Sequence, residues 1–333
     1  MRPFKFTPAG TAAAAVRLLT TNTKAKYLAG GTNIIDLMKE DVERPNELVD
    51  LGELSLTEII PLVNGGISLG ALGKNTDAAN SPLVRKNFPL LSKAILAGAS
   101  AQIRNMATNG GNLLQRTRCS YFYDVAMPCN KREPGTGCAA LQGINRMHAI
   151  FGCSDACVAV YPSDMAVALM ALDAQIKVMQ PGGTERAVPI QDFHRLPGDQ
   201  PEKDNVLNHG ELITEIEIPV NAFAGHSAYV KVRDRNSYAF ALVSVAAGLV
   251  LQGNQITSAH LAMGGVAHKP WRLSEAEAFL KGKAATTSNF NLAAEAAMRT
   301  AKPLTHNQFK IELGKRTIIS ALEQALKGDS YTG

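Results

Sequence analysis

The sequence predicts an α+β protein of two parts, and three observations carry that expectation. The chain has 333 residues, of which 46% are hydrophobic and 19% charged; it is long enough for about two domains and apolar enough to fill their cores. Strand-like and helix-like segments alternate up to about residue 220. Beyond that, strands come first and helices follow, which is the order of a separate, smaller sheet-and-helix unit. The expected organisation is therefore residues 1–220, carrying a cysteine-rich insertion at 115–158, and residues 226–333.

Phe4 to Phe6 predicts a strand, and the small-residue run Thr11 to Val16 that follows predicts an amphipathic helix. Pro3, Lys5 and Pro8 precede this run, so it does not have the build of a secretory h-region. Tyr27-Leu28-Ala29 ends a strand, and Ile34 to Met38 begins a helix. Short strands are expected at Leu48 to Leu51, Glu58 to Ile60 and Ile67 to Leu72, then an Ala-rich helix from Leu90 to Ala101. From Arg116 to Phe151 no period of 2 or 3.6 appears. A loop of that length is commonly functional. Regular structure is expected again from Val158, with a helix from Met165 to Leu172, capped by Pro162-Ser163-Asp164, and a strand from Ala174 to Met179. Leu212 to Ile218 alternates apolar and polar residues as a half-buried strand does. After a linker at 219–225 come strands at Tyr229 to Arg233, Phe240 to Leu251 and Ile256 to Met263; Gly253-Asn254 joins the last two as a hairpin. Helices at Ser274 to Lys281, Leu292 to Lys302 and Ile311 to Leu326 complete the pattern.

The net charge of +5 is spread along the chain, so no nucleic-acid stripe is expected. No run of about 18 apolar residues is present, so no membrane span is expected. The chain shows no export address of its own. Cytoplasmic assembly is the expectation, with folded co-export to the periplasm beside a signal-bearing partner as the alternative.

All five cysteines, Cys119, Cys129, Cys138, Cys153 and Cys157, fall in the aperiodic region. Disulfides sit poorly with an odd count. Structural zinc favours short knuckles, which only Cys153 and Cys157 approach. An iron–sulfur cluster takes four thiolates and can be wrapped by a long loop, but the spacing matches no ferredoxin pattern. A set of buried structural thiols would be expected on periodic apolar elements, where Cys119, Cys129 and Cys138 are not. Those three are the leading ligands. The fourth is Cys153 or Cys157, with Cys157 favoured because it borders the returning regular structure.

Two glycine loops stand between predicted elements. Ala29-Gly30-Gly31-Thr32-Asn33 joins a strand to a helix, and Thr108-Asn109-Gly110-Gly111-Asn112 follows Ile103-Arg104-Asn105. Glycine lets backbone N–H groups come close to a phosphate, and a helix N-terminus adds partial positive charge. Neither loop has the spacing of a dinucleotide or Walker motif. Alone, the first could be an ordinary turn; the pair fits a diphosphate cofactor gripped from two sides.

With Pro162-Ser163-Asp164, Lys231-Val232-Arg233 and Gly264-Gly265-Val266-Ala267 ahead of Pro270, these loops make the chain resemble, nearly end to end, the FAD-binding (medium) subunit of the xanthine dehydrogenase and carbon monoxide dehydrogenase family. The resemblance implies a flavin domain of the vanillyl-alcohol-oxidase type followed by a smaller α+β domain. It assigns Leu28, Ala29, Gly30, Gly31, Thr32, Asn33, Ile34, Thr108, Gly110, Gly111 and Asn112 to the FAD diphosphate and its neighbouring sugar. It puts Asp164 on the polar chain of the flavin, Lys231 near the isoalloxazine ring and Leu212 near the adenine or ring edge. In the plain family pattern Pro-Ser-Asp closely follows the second loop; here residues 113–161 intervene and hold every cysteine. That departure resembles the branches with a [4Fe–4S] insertion, such as 4-hydroxybenzoyl-CoA-reductase-like enzymes and above all periplasmic aldehyde-oxidoreductase-like ones. The implied role is electron transfer beside a large molybdenum-cofactor subunit and a small [2Fe–2S] subunit, as a heterotrimer or a multiple of it, with substrate chemistry on the large partner. A stand-alone FAD oxidase and a non-enzymatic iron–sulfur module are the alternatives. Histidines 148, 194, 209 and 268 show no metal spacing and are read as structural or solvated. Asp164 could equally serve as a helix N-cap, and Lys231 could lie on the solvent side of its strand.

Overall fold

In the computed structural model, which describes residues 1–328, the chain opens with a small parallel sheet. Strand β1 (Lys5–Pro8), helix α1 (Ala12–Thr21), β2 (Ala25–Leu28), α2 (Ile34–Lys39) and β3 (Glu47–Asp50) form it in the order β1-β3-β2. Helix α1 starts where Thr11 accepts a hydrogen bond from the Ala14 N–H at 3.1 Å. Such a cap stabilises a helix by about 1 kcal/mol. Its buried face is Ala15, Val16 and Leu19, spaced as a helix stripe requires.

A second sheet is five-stranded and antiparallel. It uses β4 (Ile59–Pro61), β5 (Ile67–Gly70), β6 (Gln175–Met179), β7 (Glu185–Pro189) and β8 (Leu212–Ile218) in the order β4-β5-β8-β6-β7. Between β5 and β6 lie helices α3 (Asn75–Asn80), α4 (Pro82–Asn87), α5 (Pro89–Ala97), α6 (Ala101–Met106) and α7 (Asn109–Leu113), then the cysteine region with α8 (Ser120–Tyr123) and one 3₁₀ turn (Ala139–Leu141), and then α9 (Asp164–Ala171). Helix α10 (Ile190–Phe193) closes β7. Every residue of α9 is buried; it has no polar face because it is packed on both sides.

The third sheet, β9 (Ser227–Val232), β10 (Val243–Gln252), β11 (Gln255–Gly264) and β12 (Trp271–Arg272), runs in the order β12-β11-β10-β9. One face carries α11 (Ser274–Leu280), α12 (Thr287–Met298) and α13 (Phe309–Lys327), with Ile318, Ala321, Leu322 and Ala325 set against Val243, Val245 and Leu261. The opposite face presents Ala246 and Ala262 to the core that contains α9. Helix α9 thus bridges the second and third sheets. Small residues let it approach: a Cβ on Gly264 would lie 2.6 Å from the Val167 side chain.

Several expectations shift. The helix predicted to reach Ala101 stops at Ala97; Gly98 is extended and Ala99 has φ +48. The helix predicted at Leu292 to Lys302 starts at Thr287, because the Thr286 hydroxyl caps it, and ends before Lys302, whose N–H bonds the Ile150 carbonyl. Residues 158–163 form no regular element and are held singly by bonds such as Ala149 N–H to Val158 O and Tyr161 N–H to Ala267 O. Strand β7 and helices α3 and α4 were not expected.

Candidate functional site

The end of β2, the second glycine loop and the start of α9 surround a cleft of about 1380 Å³. Thirteen of the fourteen residues expected at the cofactor line it; Leu28 alone does not. Its side chain lies beneath the loop instead, 3.4 Å from where a Gly31 Cβ would be.

The first loop is shaped by contact with the second. A Cβ on Gly30 would lie 2.0 Å from the Met106 carbonyl oxygen, so only glycine fits there. Gly31 takes φ +73, which glycine adopts without strain. Among the described residues, the backbone N–H groups of residues 30–34 have no protein acceptor. The Asn33 Oδ1 accepts from the Arg116 N–H at 2.8 Å, while its Nδ2 is buried without a partner. Unused donors in this density call for an acceptor from outside the chain.

The second loop is a framework rather than an open row of donors. Asn109 N–H bonds Gly73 O, Gly110 N–H bonds Ala71 O, and Gly111 N–H bonds the Thr108 hydroxyl. The asparagine side chains are also committed. Asn75 donates to Asn109 Oδ1 (3.1 Å), Asn112 donates to Asn75 Oδ1 (2.7 Å), and Ser163 donates to Asn112 Oδ1 (2.5 Å). These bonds lock the loop to α3 and to the Ser163 cap of α9. Asn75 belongs to the site and was not singled out, since in Lys74-Asn75-Thr76 it reads as an ordinary turn or cap residue.

Asp164 is not the N-cap of α9. Ser163 is, accepting from the Ala166 N–H at 3.0 Å. The Asp164 carboxylate instead takes Lys231 Nζ on Oδ2 at 2.7 Å and the Tyr229 hydroxyl on Oδ1 at 2.6 Å. Lys231 also donates to Ala97 O at 3.1 Å. Its side chain is 4% exposed, so the solvent-facing reading is wrong. Burial and the Asp164 charge push the Tyr229 phenol well above its ordinary range, so it stays protonated and donates. Leu212, at the start of β8, is buried beside Leu72 and Ala25 where the cleft meets the first sheet.

Residues 2–221 match the FAD binding domain in molybdopterin dehydrogenase, and residues 227–327 match the CO dehydrogenase flavoprotein C-terminal domain. The chain belongs to this flavoprotein family. Over 325 residues it is 47% identical to the aldehyde oxidoreductase FAD-binding subunit PaoB of Escherichia coli (strain K12), covering 98% of this chain and 99% of that one. It is 30% identical to the glyceraldehyde dehydrogenase medium chain of Sulfolobus acidocaldarius, covering 84% and 82%. In fold it is similar to CO dehydrogenase from Oligotropha carboxidovorans, with a TM-score of 0.77 at 23% identity, 99% of this chain and 100% of that one being covered.

In this flavoprotein the cysteine region packs against the cleft wall. All five cysteines are free thiols. Cys129 and Cys138 face each other across an isolated bridge. Cys138 and Cys157 perturb one another: Cys138 is pulled below the ordinary thiol range and Cys157 is driven above it, each chiefly by the other thiol. Burial raises Cys119 to about 11, with Cys129 and Cys138 close enough to add to the rise. Cys153 is likewise raised to about 11 by burial, and its Sγ turns to the Phe151 carbonyl at 3.8 Å. Among the described residues, no group of three or more His, Cys, Asp or Glu is arranged around a single metal ion. A four-iron cluster spreads its thiolates over several irons and needs no such convergence.

A buried ion network fastens the region. Arg116 pairs with Glu43 at 2.6 Å and Asp204 at 2.7 Å, and Lys131 pairs with Asp204 at 2.6 Å. Burial alone would raise Asp204; the two cations outweigh it and hold the carboxyl near about 2.

Proposed function

We propose that this chain is the FAD-binding electron-transfer subunit of a molybdenum-dependent aldehyde oxidoreductase. In this reading it takes electrons from [2Fe–2S] centres of a small partner and passes them to an external acceptor, while a large partner oxidises the aldehyde at its molybdenum cofactor. The observation that carries the proposal is the row of unpartnered N–H groups at residues 30–34, at the mouth of a cleft large enough for a dinucleotide. The end-to-end identity with an aldehyde oxidoreductase flavin subunit supports the substrate class and the partners. The flavin domain is taken to be of the vanillyl-alcohol-oxidase type. Assembly is taken to occur in the cytoplasm, with folded co-export to the periplasm beside a signal-bearing partner as the alternative.

FAD supplies the one- and two-electron chemistry when bound. The chain's residues bind and orient it. The N–H groups of residues 30–34 and the Thr108 hydroxyl would hold the diphosphate and sugar, with Gly30, Gly31, Gly110 and Gly111 permitting the approach. Leu212 would flank the adenine or ring edge. Asp164 would meet the polar chain of the flavin and Lys231 would lie near its ring, the two joined as an ion pair. The sequence suggests that Lys231 favours negative charge on the reduced flavin; paired with Asp164 at 2.7 Å, it contributes less net charge than a free ammonium would.

Cys119, Cys129, Cys138 and Cys157 are proposed to hold a [4Fe–4S] cluster. Their chemistry fits: they are free thiols, Cys129 and Cys157 buried and Cys119 and Cys138 half-buried, with Cys138 facing Cys129 and perturbed by Cys157. The turn of Cys153 toward Phe151 favours Cys157 as the fourth ligand. The test is anaerobic purification with the partner subunits, followed by visible spectroscopy and assay of flavin and of iron on the separated subunit. About one FAD and about four irons per chain are expected. Flavin without iron on this subunit would remove the cluster, and iron without flavin would overturn the main claim.

A further inference from the structure

His148 sits beside the cysteine patch in a fixed pose. Its Nε2 lies 3.1 Å from Cys119 Sγ. Its backbone is held from both sides: the N–H bonds Asn145 O at 3.0 Å, and the carbonyl accepts from Lys310 Nζ at 3.0 Å and Asn307 Nδ2 at 3.1 Å. Lys310 is fully buried and also donates to Met147 O (3.1 Å) and Gly265 O (2.8 Å). Helix α13 therefore contributes a polar clamp whose visible effect is to set the histidine segment. The residue is 4% exposed, and among the described residues its Nδ1 has no partner.

We infer that His148 donates its Nε2 proton to the Cys119 sulfur and so tunes the reduction potential of the cluster, with Lys310 and Asn307 as the positioning residues that aim it. The inference rests on the iron–sulfur reading above. A free Cys119 thiol can donate to the imidazole; a thiolate bound to iron can only accept. The proton must then lie on Nε2, which leaves Nδ1 as the bare nitrogen, in keeping with its lack of a partner. An imidazole N–H is a donor, so the 3.1 Å contact is met by a proton on Nε2. A hydrogen bond to a cluster sulfur favours the more negative, reduced state and raises the potential.

The experiment is a redox titration, followed by electron paramagnetic resonance, of the anaerobically purified complex with wild-type, His148→Phe and His148→Gln subunits, with iron assayed on each. His148→Phe is expected to keep its iron and to lose about tenfold in the reduction equilibrium, a fall of about 59 mV for one electron. His148→Gln, which retains an N–H of similar reach, is expected between the two. An unchanged potential with iron retained in both variants would overturn the inference. Loss of iron from both would also overturn it, in favour of a ligand or purely structural histidine. The unmodified complex supplies an independent readout. With ¹⁵N-labelled histidine, weak coupling of one nitrogen to the reduced cluster is expected; strong coupling would mean ligation, and no coupling would mean no bond. A wild-type subunit without iron would instead bring down the cluster reading itself, and a separate assay already distinguishes that case.

Discussion

At Gly30 one missing atom defines the first loop. Its Cβ position is filled by the Met106 carbonyl, so Gly30→Ala must push α6 away from the loop or tilt the loop's N–H groups off the cofactor. Overpacking of this kind costs about 1–3 kcal/mol, which is roughly one to two powers of ten in affinity. Flavin content after gel filtration should fall accordingly, while far-ultraviolet circular dichroism stays as in the wild type. An undiminished flavin content would show that the loop does not hold the cofactor. The glycines could be read from sequence because glycine signals backbone geometry locally. The partners of Asp164 could not. Tyr229 and Lys231 are 65 and 67 residues away, and a tyrosine and a lysine on a strand have no local mark of an ion pair. His148 was passed over for the same reason: the Cys119 contact spans 29 residues.

Capping separates the roles of individual elements. Thr286 and Ser163 both cap a helix through a hydroxyl, but Ser163 also donates to Asn112 and ties α9 to the second glycine loop. Thr286→Ala should cost about 1 kcal/mol. Ser163→Ala should cost about 1 kcal/mol more, since it also deletes a hydrogen bond made inside the protein, and it alone should weaken flavin retention. Equal midpoint shifts in urea for the two variants, with flavin retained in both, would show that the Asn112 link carries nothing. Legibility at this scale followed periodicity. Strand β8 lies where the alternation put it, and the Gly253-Asn254 turn joins β10 to β11 as expected. Strand β7 was missed because Glu185-Arg186-Ala187 is polar and partly exposed at a sheet edge. The start of α12 was displaced because Ser288, Asn289 and Asn291 weaken its first turns as a helical pattern, and only the Thr286 cap marks where they begin.

Across the whole molecule the cysteine region is a wedge between the layers. Arg116 and Lys131 tie it to the cleft side, and Lys310 of α13 and Asn307 of the turn before it tie it to the C-terminal helix. Phe151 stacks on Trp271 at 5.1 Å. None of these contacts has a sequence signal, because each joins elements far apart in the chain, and so the aperiodic segment showed that it was special without showing how it is held. Two buried histidines at these seams make the assembly sensitive to acid. His194 donates Nε2–H to Leu113 O and, among the described residues, its Nδ1 and both nitrogens of His268 have no partner. Burial, the leading cause in both, pulls His194 to about 4 and His268 to about 3. Between about pH 6.5 and these values the unfolded chain binds protons that the folded chain refuses, so stability must fall as pH falls. Each histidine can contribute up to about 1.4 kcal/mol per pH unit in that window. The urea midpoint should therefore drop from pH 7.5 to pH 5, and His268→Leu, which replaces the unpartnered ring with an apolar side chain of smaller volume, should flatten that drop even if it lowers stability at pH 7.5. A slope that the substitution leaves unchanged would show that His268 is not buried neutral, and that water or a charged partner reaches the seam.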